Sequence, residues 1–152
     1  MAKYTIHFDG SCWPNPGGVA AYGYTIDYRP TGAETSTEIA AVAGLVPTSY
    51  PVNTSNNVAE FWALLEALRD PSLRIERGDT VEVFGDSQIV INIMSRKWKA
   101  DNEKLYWEAY RQAAIRKNAI ETHGGEIHFN WIAREKNTRC DDLSKEINNA
   151  PR

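Results

Sequence analysis

The sequence predicts an α/β domain built on a five-stranded mixed sheet, an antiparallel three-strand meander plus two parallel strands, flanked by helices. Three observations predict it. Strand-like runs separated by turn residues fill the chain up to residue 43. Beyond residue 57 the apolar period changes from two to that of a helix. From there strands alternate with helices, in the overall order βββαβααβα.

Each element has its own signal. Residues 3–8 alternate as a strand that stops at Asp9, and a loop of small residues and prolines follows. Residues 20–28, "AAYGYTIDY", are aromatic and β-branched; Arg29-Pro30-Thr31-Gly32 turns the chain, and 35–43 form a weaker third strand. Pro47 to Asn57 is a polar loop. Val58, Phe61, Trp62, Leu65 and Leu68 fall at helical spacing, predicting a helix over 57–69 that Asp70-Pro71 ends. "TVEVF", 80–84, is a fourth strand leading to Gly85-Asp86, and "SQIVINIMS" a short helix. Good helix formers over 102–118 predict a longer helix, and Gly124-Gly125 breaks it. "EIHFNWI", 126–132, alternates as the fifth strand, and "CDDLSKEIN" closes the chain as a helix.

Composition narrows the class. With 152 residues, 42% hydrophobic and 24% charged, the chain has the size and core of one globular domain, read as 1–152 with no linker or repeat. No apolar run is long enough to cross a bilayer, and the N-terminus carries no signal-peptide core, so no membrane partner is expected. Cys12 and Cys140 are too few for a disulfide framework and lack a CxxC partner, which argues for a reducing, cytoplasmic setting and against zinc. A net charge of −3 argues against a non-specific nucleic-acid coat protein. It leaves room for an enzyme whose acidic centre holds metal ions that then meet phosphates.

The acids draw attention by position. Asp9 and Asp86 each follow a strand end, where sites gather in open α/β sheets; Glu60 lies in the first turn of a helix, and Asp141 and Asp142 start the last one. Taken singly, each has an ordinary reading: a turn former at Asp9, an N-cap at Asp86, a capping box between Glu60 and Asn57, a helix-dipole partner at Asp141 or Asp142. As a set, four acids at element ends can converge on one edge of one sheet.

Four ordered stretches carry a resemblance: "FDGSCWPNPGG", "TSNNVAEFWALLEAL", "VFGDSQIVI" and "NTRCDDLSKE". Together they resemble the four motifs of the type 1 ribonucleases H, running from Asp9 to Asp141 in that family's element order. The resemblance implies the ribonuclease H-like fold. It also implies a metal-dependent endonuclease that hydrolyses the RNA strand of RNA/DNA hybrids and leaves 3′-hydroxyl and 5′-phosphate ends. Asp9, Glu60, Asp86 and Asp141 would hold two Mg²⁺ ions, with Mn²⁺ as the alternative; Asp141 is preferred to Asp142 because it directly follows Arg139-Cys140. Oxygen-only donors suit such hard cations. The loop behind Asp9 would let a polynucleotide backbone come close.

By the same resemblance Asn15, Asn56, Asn57 and Gln88 contact the hybrid, with the backbone around Ser11 and Cys12, while Ser55 holds a DNA phosphate. An amide both donates to and accepts from a ribose 2′-hydroxyl. Trp98, within the basic-aromatic cluster Arg96-Lys97-Trp98-Lys99, suits a nucleic-acid strand, or is a core residue beside ordinary helix-end charge. Trp62, Trp107 and Trp131 are expected in the core, Trp13 outside it. Two departures stand out: the link after the third-motif helix is short where many members carry a basic handle, and "WIAREKNTRCD" lacks the histidine many members place before the last Asp. Arg134 is the nearest substitute. His7, His123 and His128 do not fit that role. A monomer is expected, with neither an obligate protein partner nor an N-terminal hybrid-binding module. Two other readings use the same residues: a related nuclease of this fold, and a binding module without activity, against which the four acids speak.

Overall fold

A computed structural model describes residues 1–47 and 54–149. Most of the expected 47–57 loop therefore lies outside the described residues. The strands are β1 (Lys3–Trp13), β2 (Val19–Arg29), β3 (Thr37–Leu45), β4 (Thr80–Gly85) and β5 (Glu126–Trp131). The helices are α1 (Asn56–Leu68), α2 (Gln88–Met94), α3 (Trp107–Thr122) and α4 (Thr138–Asn149). The sheet order is β3-β2-β1-β4-β5; β1 pairs antiparallel with β2 and parallel with β4, β2 antiparallel with β3, and β4 parallel with β5. The expected mixed sheet is present, with its two helix-connected strands, β4 and β5, parallel to the central β1.

Helices cover both faces. Register pairs Asp9 with Gly23 and Gly10 with Tyr22, so Gly10 and Gly23 lie on opposite faces. A Cβ on Gly10 would collide with the backbone of Ala59 and Glu60 in α1; one on Gly23 would collide with Leu143 and the Cys140 carbonyl in α4. Each glycine lets a helix lie directly on the strand. On the α1 face Ile6, Phe8, Ile26, Phe61, Leu64 and Leu65 are fully buried and form the core.

The structure corrects three expectations. β1 does not stop at Asp9. Its parallel partner β4 ends at Phe8↔Gly85, but pairing with β2 continues to Trp13↔Val19, so the segment expected as a flexible loop is largely ribbon. α3 begins at Trp107 rather than 102, because Asp101 takes the preceding residues into turns: its carboxylate accepts from Glu103 N and its carbonyl from Lys104 N. Trp131 is not a core residue. It lies at the end of β5, 49% exposed, whereas Trp62 and Trp107 are half-buried and Trp13 is exposed as expected.

Candidate metal centre and nucleic-acid interface

The site forms where β4 runs out. Asp9 is the first β1 residue without a parallel neighbour, and Asp86 follows Gly85 into the space so opened. Ser87, not Asp86, caps α2, accepting from Val90 N at 3.2 Å; the Trp131 indole N–H donates to the Asp86 carbonyl at 3.0 Å. α1 supplies the third acid. Its N-cap is Ser55, whose Oγ accepts from Val58 N at 3.1 Å, so no Asn57–Glu60 capping box forms. Glu60 reaches back to β1 instead, accepting from Gly10 N–H at 2.9 Å. The bare Gly10 thus lets α1 lie on the strand and places Glu60 beside Asp9.

Carboxylate oxygens of Asp9, Glu60 and Asp86 lie within 4.8 Å of one another. Asp9 is 4% exposed and Glu60 7%. Glu60 Oε2 and Asp86 Oδ2 are buried with no hydrogen-bond partner among the described residues. Buried polar atoms are rarely left so, because each forfeits its hydration. Burial, together with the neighbouring Asp86 and Asp141, pushes Asp9 up to about 7, against a partial lowering by Glu60. Burial and Asp9 push Glu60 well above the carboxylate range. Asp86 also rises, mainly through burial, with Asn137 and Arg134 opposing. Such a cluster binds either protons or cations. An all-oxygen donor set with two orphaned oxygens fits a hard divalent ion.

Asp141 is different. It adjoins Asp9, while Asp142 beside it is exposed. Lys145 Nζ lies 3.0 Å from Asp141 Oδ2, and an Arg134 guanidinium nitrogen 3.6 Å from Oδ1. Burial raises its pKa, but Lys145, Asp9 and Arg134 outweigh that and hold it below the usual range.

The other expected residues separate into groups. Cys12 N–H donates to Asn56 Oδ1 at 2.9 Å and Asn56 N–H to Asn15 Oδ1 at 3.0 Å, a ladder that ties the β1 end to the start of α1. Ser11 is half-buried on the same strand. Ser55, Asn57, Trp98 and Lys99 line one groove of about 420 Å³ with Ile89, Ile93 and Lys104. Gln88 is exposed at the first turn of α2. The basic-aromatic cluster divides: Arg96, at φ 63°, lines a different pocket with Lys117 and His128.

Sequence reasoning missed Asn137, Lys145 and the tie from Trp131. Asn137 is 2% exposed and its amide donates to the Phe8 carbonyl at 2.8 Å, joining the approach to α4 to the strand that carries Asp9. Its place in the fourth motif was a usable signal. So was the i, i+4 spacing of Asp141 and Lys145 on a helix.

The RNase H family model matches residues 1–148. The chain belongs to the RNase H family. It is 30% identical over 151 residues to the "Bifunctional protein Rv2228c" of Mycobacterium tuberculosis, an alignment covering 97% of this chain and 36% of that protein. The chain thus spans about a third of the length of the first curated relatives it matches. To "Ribonuclease H" of Nitratidesulfovibrio vulgaris strain DP4 it is 29% identical over 156 residues, covering 93% of this chain and 86% of the relative. Among solved structures, LC11-RNase H1 in complex with an RNA/DNA hybrid superposes with a TM-score of 0.71 at 28% identity, covering 94% of each chain. Type 1 RNase H is the branch these likenesses support.

Proposed function

We propose that this chain hydrolyses the RNA strand of RNA/DNA hybrids, using two Mg²⁺ or Mn²⁺ ions held by Asp9, Glu60, Asp86 and Asp141, and leaves 3′-hydroxyl and 5′-phosphate ends. The observation that carries the reading is the meeting of three carboxylates from β1, α1 and the end of β4, Asp9 and Glu60 buried and Asp86 partly so, two of them with orphaned oxygens. When bound, the cations would lower the pKa of the attacking water and offset charge on the phosphate and the leaving oxygen.

The protein's own groups do the rest. Asp9 and Glu60 are fixed by strand pairing and by the Gly10 amide, so little reorganisation is needed. The Cys12–Asn56–Asn15 ladder holds polar groups at the junction of the β1 end and the start of α1, where a ribose 2′-hydroxyl would be read. The groove with Ser55, Asn57, Trp98 and Lys99 would take the DNA strand through stacking and phosphate contact. Arg134, substituting for the loop histidine, would act through its positive charge beside Asp141. The two free cysteines, both buried, support a reducing compartment, and we place the chain in the cytoplasm as a monomer.

Labelled RNA/DNA hybrid, duplex DNA and duplex RNA, each with Mg²⁺, Mn²⁺ or EDTA, test this. Cleavage confined to the RNA strand of the hybrid and abolished by EDTA is expected. Cutting of duplex DNA, or no cutting with either metal, would contradict it. The first of those outcomes favours the related-nuclease reading.

A further inference from the structure

Resting on the metal-centre reading above, one feature of α4 extends it. Among the described residues Asp141 is the acid of the four that makes ion pairs: Lys145 on Oδ2 and Arg134 on Oδ1. Lys145 sits one helical turn beyond Asp141, so helix geometry delivers its ammonium without help from another element. Among the described residues the three-acid cradle makes no ion pair, Arg134 acting on Asp86 only at longer range, whereas Asp141 makes two. Asp141 also falls outside the set whose oxygens lie within 4.8 Å of one another.

We propose that Lys145 is a built-in counter-ion that occupies Asp141 until a divalent cation displaces it, so that loading this carboxylate is an exchange of lysine for metal. A first ion would enter Asp9, Glu60 and Asp86, where no ion pair among the described residues has to be broken. Engaging Asp141 then requires its oxygen to leave the Lys145 ammonium. Lys145 is half exposed, 49% at the side chain, so the displaced ammonium has water to move into and the exchange is cheap. Lys145 is therefore a positioning residue: it presents Asp141 ionised and oriented, and it weakens the affinity for the ion that Asp141 helps to hold.

Calorimetric titration of the substrate-free protein with Mg²⁺ at low salt tests this through binding alone. Lys145→Gln should tighten the Mg²⁺ Kd by roughly 2- to 5-fold, the range that an exposed ion pair is worth. Lys145→Arg should leave it unchanged. In an Asp141→Asn background, Lys145→Gln should have no effect, because the lysine then has no carboxylate to release. Equal tightening in both backgrounds would overturn the proposal, since that is what removing any nearby positive charge does. No tightening in the Asp141 background would overturn it too. If the unsubstituted protein binds no Mg²⁺ at all, the metal-centre reading fails first and this inference with it.

Discussion

Asp9 and Asp141 are neighbours with opposite surroundings. Asp9 is buried on a central strand among other acids, and its carboxyl is pushed up to about 7. Asp141 lies on the first turn of α4, where burial is outweighed by Lys145, Asp9 and Arg134, and stays below the usual range. The contrast follows from the elements that carry them. A central strand can place a carboxylate deep but brings no cation with it, whereas an outer helix sets a partner four residues along. The deep half of the centre is thus preformed and short of positive charge, and the outer half is satisfied before any ion arrives.

The largest expected effect distinguishes these halves directly. Asp9→Asn or Asp86→Asn should lower turnover on a hybrid by on the order of 10³-fold or more, because each removes a charge from the preformed cradle. Asp141→Asn should be milder, with a loss nearer ~10- to 100-fold, measured as kcat under saturating Mg²⁺. Equal losses at all three positions would erase the distinction.

Next comes Gly10→Ala. Its methyl would meet the α1 backbone at Ala59 and Glu60, and so must push the helix off the strand. Urea unfolding should show a loss of roughly 2–4 kcal/mol, accompanied by weaker Mg²⁺ binding. A variant of unchanged stability would show that α1 does not depend on that close approach.

Smaller again is a pH effect in EDTA. Between the ordinary value of 3.8 and about 7, folded Asp9 keeps a proton that the unfolded chain has released. The unfolded state then binds fewer protons, so stability falls as pH rises through that window and is greatest below it. The upward shifts of Glu60 and Asp86 act in the same direction. Tm should therefore drop between pH 5 and pH 8, by the equivalent of about 1–3 kcal/mol, and Asp9→Asn should flatten the slope. Mg²⁺ at pH 8 should restore the loss by binding only the folded state. Asp141, shifted the other way, loses its contribution only in more acidic solution, as pH falls toward and through its lowered value.

Much of this centre was legible in the chain itself. Acids at element ends, the change from strand to helix period, and four ordered motifs placed Asp9, Glu60, Asp86 and Asp141 on the correct elements. What was not legible depends on register and on neighbours distant in sequence. Alternation over 3–8 cannot show that β4 ends opposite Phe8 while β2 continues to pair as far as Trp13. Gly10 reads as a turn residue until α1 is seen lying on it. Arg96 and Trp98 are two positions apart, yet the backbone at Arg96 adopts φ 63° and the two face different pockets. Trp131 reads as core because its strand alternates, but it ends β5 at the surface, where its indole bonds the Asp86 carbonyl.

The central claim is that the oxygens of Asp9, Glu60 and Asp86 form a cradle for a divalent cation. Anomalous scattering from a crystal soaked in Mn²⁺ addresses it without relying on activity. A peak is expected among those three carboxylates, within coordinating distance of Glu60 Oε2 and Asp86 Oδ2. A crystal that takes up Mn²⁺ elsewhere and shows no density there would contradict the account.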